Sequence, residues 1–111
     1  MAVAWEITPQ KVDAVVRRII EIGKPKKLIL FGSYVSGNVH RNSDLDILVV
    51  TGDDIESPRK ESIRIRRALK GILLSMDIVV VTESKLKESA EIPGLIYREA
   101  LRNGKVVYEA A

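Results

Sequence analysis

The sequence predicts an α/β (α+β) fold with a mixed central sheet and flanking helices. Short apolar runs rich in β-branched residues alternate with amphipathic segments, a pattern typical of one sheet covered by helices. The first two predicted strands have no full helix between them, which favours a mixed sheet over a doubly wound parallel one. The chain of 111 residues is the right size for one domain, and we expect it to span 1–111.

The first half of the chain predicts a helix followed by two strands. Thr8 is suited to the N-cap and Pro9 to the first helical position, and apolar residues then recur at helical spacing. Apolar runs over 27–31 and 45–50 predict the two strands. Residues 33–43 between them predict only a short helical turn and a loop.

The second half predicts a helix, a strand, an interrupted helix and a last strand. Ser57 and Pro58 mark the start of the helix. Its predicted buried stripe consists of Ile65, Ala68, Leu69, Ile72 and Leu73. A strongly β-branched strand covers 76–81, and the later helix resumes over 95–102. A short edge strand is expected at 105–108.

Composition excludes several classes of protein. Without cysteine there is neither a disulfide framework nor a thiolate metal site. No apolar run approaches the roughly 20 residues that span a bilayer, so we expect a cytoplasmic protein with no membrane partner. The net charge of +3 is mild and does not by itself indicate nucleic-acid binding.

Three aspartates stand in strands that are otherwise apolar. Asp44 and Asp46 are two residues apart at the start of a strand, so their side chains point to the same face. Asp77 lies between Met76 and Ile78, where an isolated carboxylate is costly to bury. If the two strands are neighbours, the three carboxylates form a two-metal site of the kind used in phosphoryl transfer. Plain loop caps and a buried ion pair remain alternatives on these residues alone.

A glycine turn precedes the aspartates. Gly32 and Ser33 directly follow the first strand. Glycine allows a tight turn and a close approach of the backbone to a phosphate, and the free N–H groups of the short helical turn after it face an anion. Gly-Ser alone is common in turns. It indicates a phosphate-binding turn only through the order strand, Gly-Ser, loop and Asp-x-Asp strand.

The chain resembles the DNA polymerase beta-like nucleotidyltransferase superfamily. The resemblance is carried by LILFGSYVSGNVHRNSDLDILVV at 28–50 and by the later apolar-Asp-apolar triplet at 76–78. The C-terminal PGLIYREALRNGKVVYE at 93–109 is similar to the usual ending of the minimal nucleotidyltransferase subgroup. The rest of the chain matches in pattern only.

The resemblance implies roles for individual residues. Gly32 and Ser33 would hold the triphosphate of a nucleotide, with ATP the expected substrate. Asp44 and Asp46 would ligate Mg²⁺ or Mn²⁺. Asp77 would complete the catalytic metal site and help to activate the attacking hydroxyl.

One departure from the subgroup concerns phosphate binding. Many members carry an arginine shortly after Gly-Ser, whereas Tyr34, Val35 and Ser36 supply none. Arg41, in the following loop, is the substitute phosphate contact that we expect.

The resemblance also implies a partner. Roughly 30 residues follow Asp77, too few for an acceptor-binding domain, so we expect another chain to hold the acceptor. Minimal nucleotidyltransferases are typically paired with HEPN-type helical toxins, and the transferase moves AMP onto a tyrosine of the toxin. Two alternatives stay open: an antitoxin that acts by binding alone, and a homodimeric enzyme for a small molecule or RNA.

The second predicted helix has a basic outer face. Its cations are Arg59, Lys60, Arg64, Arg66, Arg67 and Lys70. A solvated face is the preferred interpretation, and we expect no nucleic-acid partner. Ile63 falls among these cations and could mark a contact with a partner or with RNA. His40 is interpreted as an exposed loop residue.

Overall fold

The computed structural model describes residues 6–37, 44–90, 92 and 95–110. Arg41, the expected phosphate contact, lies outside the described residues, as does His40. The elements are α1 (Pro9–Gly23), β1 (Lys27–Phe31), α2 (Ser33–Ser36), β2 (Leu45–Thr51), α3 (Pro58–Ala68), β3 (Met76–Thr82), α4 (Glu83–Ser89), α5 (Ile96–Asn103) and β4 (Lys105–Glu109). Their order confirms the predicted mixed α/β architecture.

The four strands form one sheet in the order β3-β2-β1-β4. The central pair, β1 and β2, is antiparallel, and β4 runs antiparallel to β1 at one edge. At the other edge β3 is parallel to β2. The sheet is therefore mixed, and the C-terminal end of β1 lies beside the N-terminal ends of β2 and β3.

Helices cover both faces of the sheet. Buried side chains on the first face and its two helices, α1 and α3, form one core cluster that includes Val15, Ile19, Leu28, Leu30, Leu45, Ile47, Val49 and Ile65. The second cluster lies on the opposite face and consists of Ile29, Phe31, Leu48, Val50, Val81 and Ala100, with Leu86 of α4 and Tyr97 of α5 packed against it. Alternation along each strand divides the two sets, because neighbouring side chains point to opposite faces.

The helix starts agree with their sequence signals. The side-chain oxygens of Thr8, Ser57 and Thr82 accept hydrogen bonds from backbone N–H groups in the first turns of α1, α3 and α4. In the described part of the chain, no helix combines the length and the apolar character needed to cross a membrane.

The end of α3 differs from the prediction. The helix stops at Ala68 rather than continuing to Leu73, and Gly71 follows with a φ of +97°. Leu73 is 49% exposed, while Leu74 is buried in its place. The apolar spacing continues past the helix because Leu69, Ile72 and Leu74, in the connection from α3 to β3, also pack in the first core cluster.

Candidate active site

The site lies at one end of the sheet, where three strands meet. Asp46, the second residue of β2, is paired with Phe31 at the end of β1. On its other side Asp46 is directly opposite Asp77 of β3. Since Gly32 follows Phe31, the glycine turn and both carboxylates are brought to the same end of the sheet.

Asp46 and Asp77 project from the same face. The backbones of directly opposite residues in a parallel strand pair lie about 4.8 Å apart, and their side chains point to the same face of the sheet. Asp46 is two residues from Leu48 and therefore shares its face of the sheet. The side chain of Leu48 packs on the face covered by α4 and α5. The register meets the condition under which the sequence brings these two aspartates together, because β2 and β3 are neighbours in the sheet.

Gly32 makes room for Asp46. A Cβ atom at residue 32 would lie 2.0 Å from Oδ2 and 3.0 Å from Cγ of Asp46. Its φ of 76° and ψ of −154° also fall in a region that is essentially restricted to glycine. Both facts make glycine a requirement for holding the turn this close to the carboxylate.

Ser33 begins the short helix α2 directly after this turn. The backbone N–H of Ser36 donates to the carbonyl of Gly32, and that of Gly37 donates to Ser33. Tyr34 and Val35 pack against the first core cluster. These contacts fix the turn beside Asp46, with Ser33 at its start.

Asp44 lies just before β2 and is exposed. Its Oδ1 accepts a hydrogen bond from the hydroxyl of Ser75. The backbone N–H of Leu45 donates to the carbonyl of Ser75 at 2.9 Å, which continues the β2–β3 pairing by one step. Ser75 was not recognised from the sequence, because only the register shows that it faces Asp44.

Asp77 lies on the edge strand, next to a cation from α3. Its Oδ1 is 4.0 Å from the Arg66 guanidinium, and the two side chains are 54% and 48% exposed. The same guanidinium donates to the carbonyl of Ile78 at 3.3 Å. The sequence predicts only a solvated basic face for Arg66, because its proximity to Asp77 depends on how α3 packs against β3.

The carboxylates repel one another. Burial raises the pKa of Asp46 above its ordinary value of 3.8, and the charges of Asp77 and then Asp44 raise it further. Asp46 is the central member of the set and the least exposed, so it bears most of this cost. A divalent cation would relieve the repulsion, and carboxylate oxygens are the ligands that Mg²⁺ prefers.

The donor set therefore fits a metal in its chemistry. As the side chains stand, no three His, Cys, Asp or Glu residues within the described ranges are arranged to hold one ion together. The hydroxyl of Ser75 holds Asp44, and Arg66 lies beside Asp77. Shared ligation would require these two side chains to turn toward Asp46, and the three-aspartate metal site stays a prediction.

A separate cleft lies at the opposite end of the sheet. Thr51, Asp53, Glu61 and Glu83 are among its lining residues. Asp53 accepts hydrogen bonds from the hydroxyl and backbone N–H of Ser84, which lower the pKa of Asp53, and Glu61 accepts from Arg64. Because Asp53 and Glu61 have hydrogen-bond partners that explain them, we assign the candidate active site to the end of the sheet that carries Asp44, Asp46 and Asp77.

Comparison with known proteins identifies the family of the chain. The family model described as "Polymerase beta, Nucleotidyltransferase" matches residues 16–111. The chain belongs to this family. It is therefore a nucleotidyltransferase, as the sequence resemblance predicted, and the matched range contains the glycine turn and all three aspartates.

Individual relatives extend the comparison. A protein of Methanocaldococcus jannaschii named "Putative protein adenylyltransferase" is 32% identical over 88 residues, which cover 78% of this nucleotidyltransferase and 81% of the relative. A crystal structure of a toxin-antitoxin with AMP-PNP has a TM-score of 0.55 at 24% identity, over 94% of this chain and 75% of that one. A mutant of the toxin-antitoxin MntA-HpeT gives the same TM-score and coverage at 22% identity. The two structures support the fold of the nucleotidyltransferase.

Proposed function

We propose that this nucleotidyltransferase moves AMP from ATP to a hydroxyl of a partner protein, a tyrosine of a HEPN-type toxin, and thereby acts as its antitoxin. The observation that carries the proposal is the in-register pair of Asp46 and Asp77 beside the Gly32 turn. A carboxylate pair next to an open backbone turn suits a metal-bound triphosphate.

The relatives support the choice of nucleotide and acceptor. The name of the M. jannaschii protein specifies adenylyl transfer to protein. The two structural neighbours are toxin-antitoxin proteins, and one of them was crystallised with AMP-PNP, an ATP analogue. ATP and a toxin partner are therefore the first substrates to test, in a cytoplasmic setting and with 1–111 acting as one domain.

Each residue has a proposed role. Gly32 and Ser33 hold the triphosphate through the backbone N–H groups at the start of α2, and Arg41 adds a phosphate contact. Asp44, Asp46 and Asp77 would hold Mg²⁺ or Mn²⁺. When bound, these ions would supply positive charge to the entering and leaving oxygens.

The reaction itself is a single displacement. The acceptor oxygen forms a bond to the α-phosphorus, the bond from that phosphorus to the bridging oxygen of the β-phosphate breaks, and pyrophosphate leaves. The hydroxyl proton passes to the carboxylate of Asp77, which lies on the exposed edge strand where an acceptor can approach. The products are an AMP ester of the acceptor and pyrophosphate.

The test uses ATP labelled at the α-phosphate. The purified chain is incubated with labelled ATP, Mg²⁺ and the product of the adjacent gene, and transfer is followed by gel and mass spectrometry. We expect label on a tyrosine of the partner, with Asp77→Asn abolishing it. Asp54→Asn changes an exposed carboxylate beyond the other end of β2 and should leave labelling intact.

The other outcomes decide between the alternatives. Silencing of the toxin without label, unchanged in Asp77→Asn, would replace the proposal with an antitoxin that acts by binding alone. Efficient transfer to a small molecule or RNA by the purified chain would favour the homodimeric enzyme. Full labelling by Asp77→Asn would contradict the assigned site.

A further inference from the structure

We propose that a basic stripe on α3 is the docking surface for an acidic surface of the partner protein, and that it delivers the acceptor to Asp77. The stripe consists of Arg59, Ile63, Arg66, Arg67 and Lys70. This inference rests on the proposed function for its acceptor, but the surface and its chemistry are argued from α3 itself.

The stripe occupies one side of the helix. Its members follow one another at steps of four, three, one and three residues, so they fall on one face of an α-helix, and Lys70 continues the row just past the last turn. The opposite side carries Glu61 and Ile65, which are buried against the rest of the molecule. The stripe therefore points away from the core along its whole length.

The charge of the stripe is not balanced within α3. Lys60 and Arg64, which flank the stripe, pair with Glu56 and Glu61. Among the ion pairs of the described residues, none involves Arg59, Arg67 or Lys70. A row of cations with no acid inside it is complementary to an anionic surface.

The stripe reaches the candidate active site through Arg66. Its guanidinium lies 4.0 Å from Asp77 and donates to the carbonyl of Ile78 on the exposed edge of the sheet. A partner seated on the stripe would extend over this edge. Its acceptor hydroxyl would then approach Asp77 from the side opposite Gly32, which leaves the glycine turn free for the triphosphate.

The features of the stripe favour protein over RNA. It contains no aromatic side chain on which unpaired bases could stack. At its centre Ile63 is 42% exposed, as expected for an apolar contact within a polar protein interface. The carboxylates at the Arg66 end would repel a phosphate backbone but not a neutral tyrosine hydroxyl.

The first experiment locates the partner. A photo-crosslinking amino acid is placed at residue 63 of the full chain in cells of the source organism, and crosslinked peptides are sequenced by mass spectrometry. The matched control places it at Val106, which is 49% exposed on β4, at the far edge of the sheet. We expect residue 63, and not residue 106, to crosslink to one protein within a segment rich in Asp and Glu.

The second experiment tests the charge complementarity. We expect Arg59→Glu combined with Arg67→Glu to reduce that crosslink at least tenfold, and Lys substitutions at the crosslinked acidic residues of the partner to restore it. Arg17→Glu, on an exposed position of α1, should have no effect. Absence of a crosslink, a crosslink to RNA, or a crosslink that survives charge reversal would overturn the docking surface.

The two proposals fail separately. If the charge-reversed chain still labels its partner with AMP at the wild-type rate, the docking surface is wrong and the transfer stands. If the wild-type chain crosslinks through residue 63 in a charge-dependent manner but transfers no label, the docking surface stands and the transfer is wrong. An unliganded melting temperature within a few degrees of the wild-type value shows that the charge-reversed chain is folded.

Discussion

At the scale of single residues, the site depends on how closely Gly32 approaches Asp46. We expect Gly32→Ala to destabilise the protein by about 2–4 kcal/mol, because strain at this φ and ψ adds to a contact of 2.0 Å with Oδ2. Equilibrium unfolding in urea measures the change. Binding of ATP with Mn²⁺ should weaken in parallel, since Asp46 must move.

Gly37→Ala is the matched control for backbone strain. Gly37 also has a positive φ, of 85°, but an added Cβ would meet nothing within 4 Å. The control should therefore cost only about 1 kcal/mol. Equal losses for the two variants would show that the close approach to Asp46 contributes nothing.

The Asp46 carboxyl predicts a second effect of a single residue. Its pKa is raised on folding, so its ionisation opposes folding as pH rises from the unfolded value of 3.8 through the higher folded value. We expect Asp46→Asn to stabilise the metal-free protein at pH 7 by roughly 0.5–1 kcal/mol, a small value because solvent screens this partly exposed group. Urea unfolding at pH 7 and pH 4 should show the advantage shrinking in acid. An Asn variant that is less stable than wild type at pH 7 would contradict carboxylate repulsion.

At the scale of elements, most of the fold could be predicted and the pairing of strands could not. Apolar and β-branched runs identified β1, β2, β3 and β4 to within one residue, because burial in a sheet selects those side chains. The parallel pairing of β2 with β3, which sets Asp46 against Asp77, depends on contacts between distant segments. The three aspartates can therefore be recognised in the sequence. Ser75 and Arg66 can be placed at the site only from the strand register and the packing of α3.

The helix α3 shows where local signals are sufficient and where they are not. Its start was predicted from Ser57 and Pro58, and the Ser57 side chain does accept from the N–H of Lys60 at 3.1 Å. Its end was not, since apolar spacing alone could not distinguish the last helical turn from the connection to β3.

The capping contact of α3 gives a prediction for that element. We expect Ser57→Ala to cost about 1 kcal/mol, because a backbone N–H in the first turn loses its acceptor. Ser57→Asp retains an acceptor oxygen and should keep wild-type stability. Thermal unfolding of the two variants checks this, and an alanine variant as stable as wild type would show that water replaces the cap without cost.

At the scale of the whole molecule, stability and function make opposite demands on the aspartate site. Asp46 is held partly buried beside two other carboxylates, where its charge opposes folding, and the proposed binding of a cation with its nucleotide would offset that cost. A protein selected for stability alone would not keep acids at these positions. The retained repulsion is therefore consistent with the proposed metal-dependent transfer.

This opposition gives the last prediction, which compares free and ligand-bound protein. With Mg²⁺ and ATP at about 100 times the dissociation constant, binding should stabilise the wild-type fold by about 2.7 kcal/mol and raise its melting temperature by roughly 10 °C. Asp46→Asn should start from a higher melting temperature than wild type and show almost none of this rise. Asp54→Asn, changed beyond the opposite end of β2, should retain the wild-type rise. A wild-type protein that shows no rise with ATP and either Mg²⁺ or Mn²⁺ would contradict nucleotide binding at this site, whereas a rise that persists in Asp46→Asn would place the nucleotide elsewhere on the molecule.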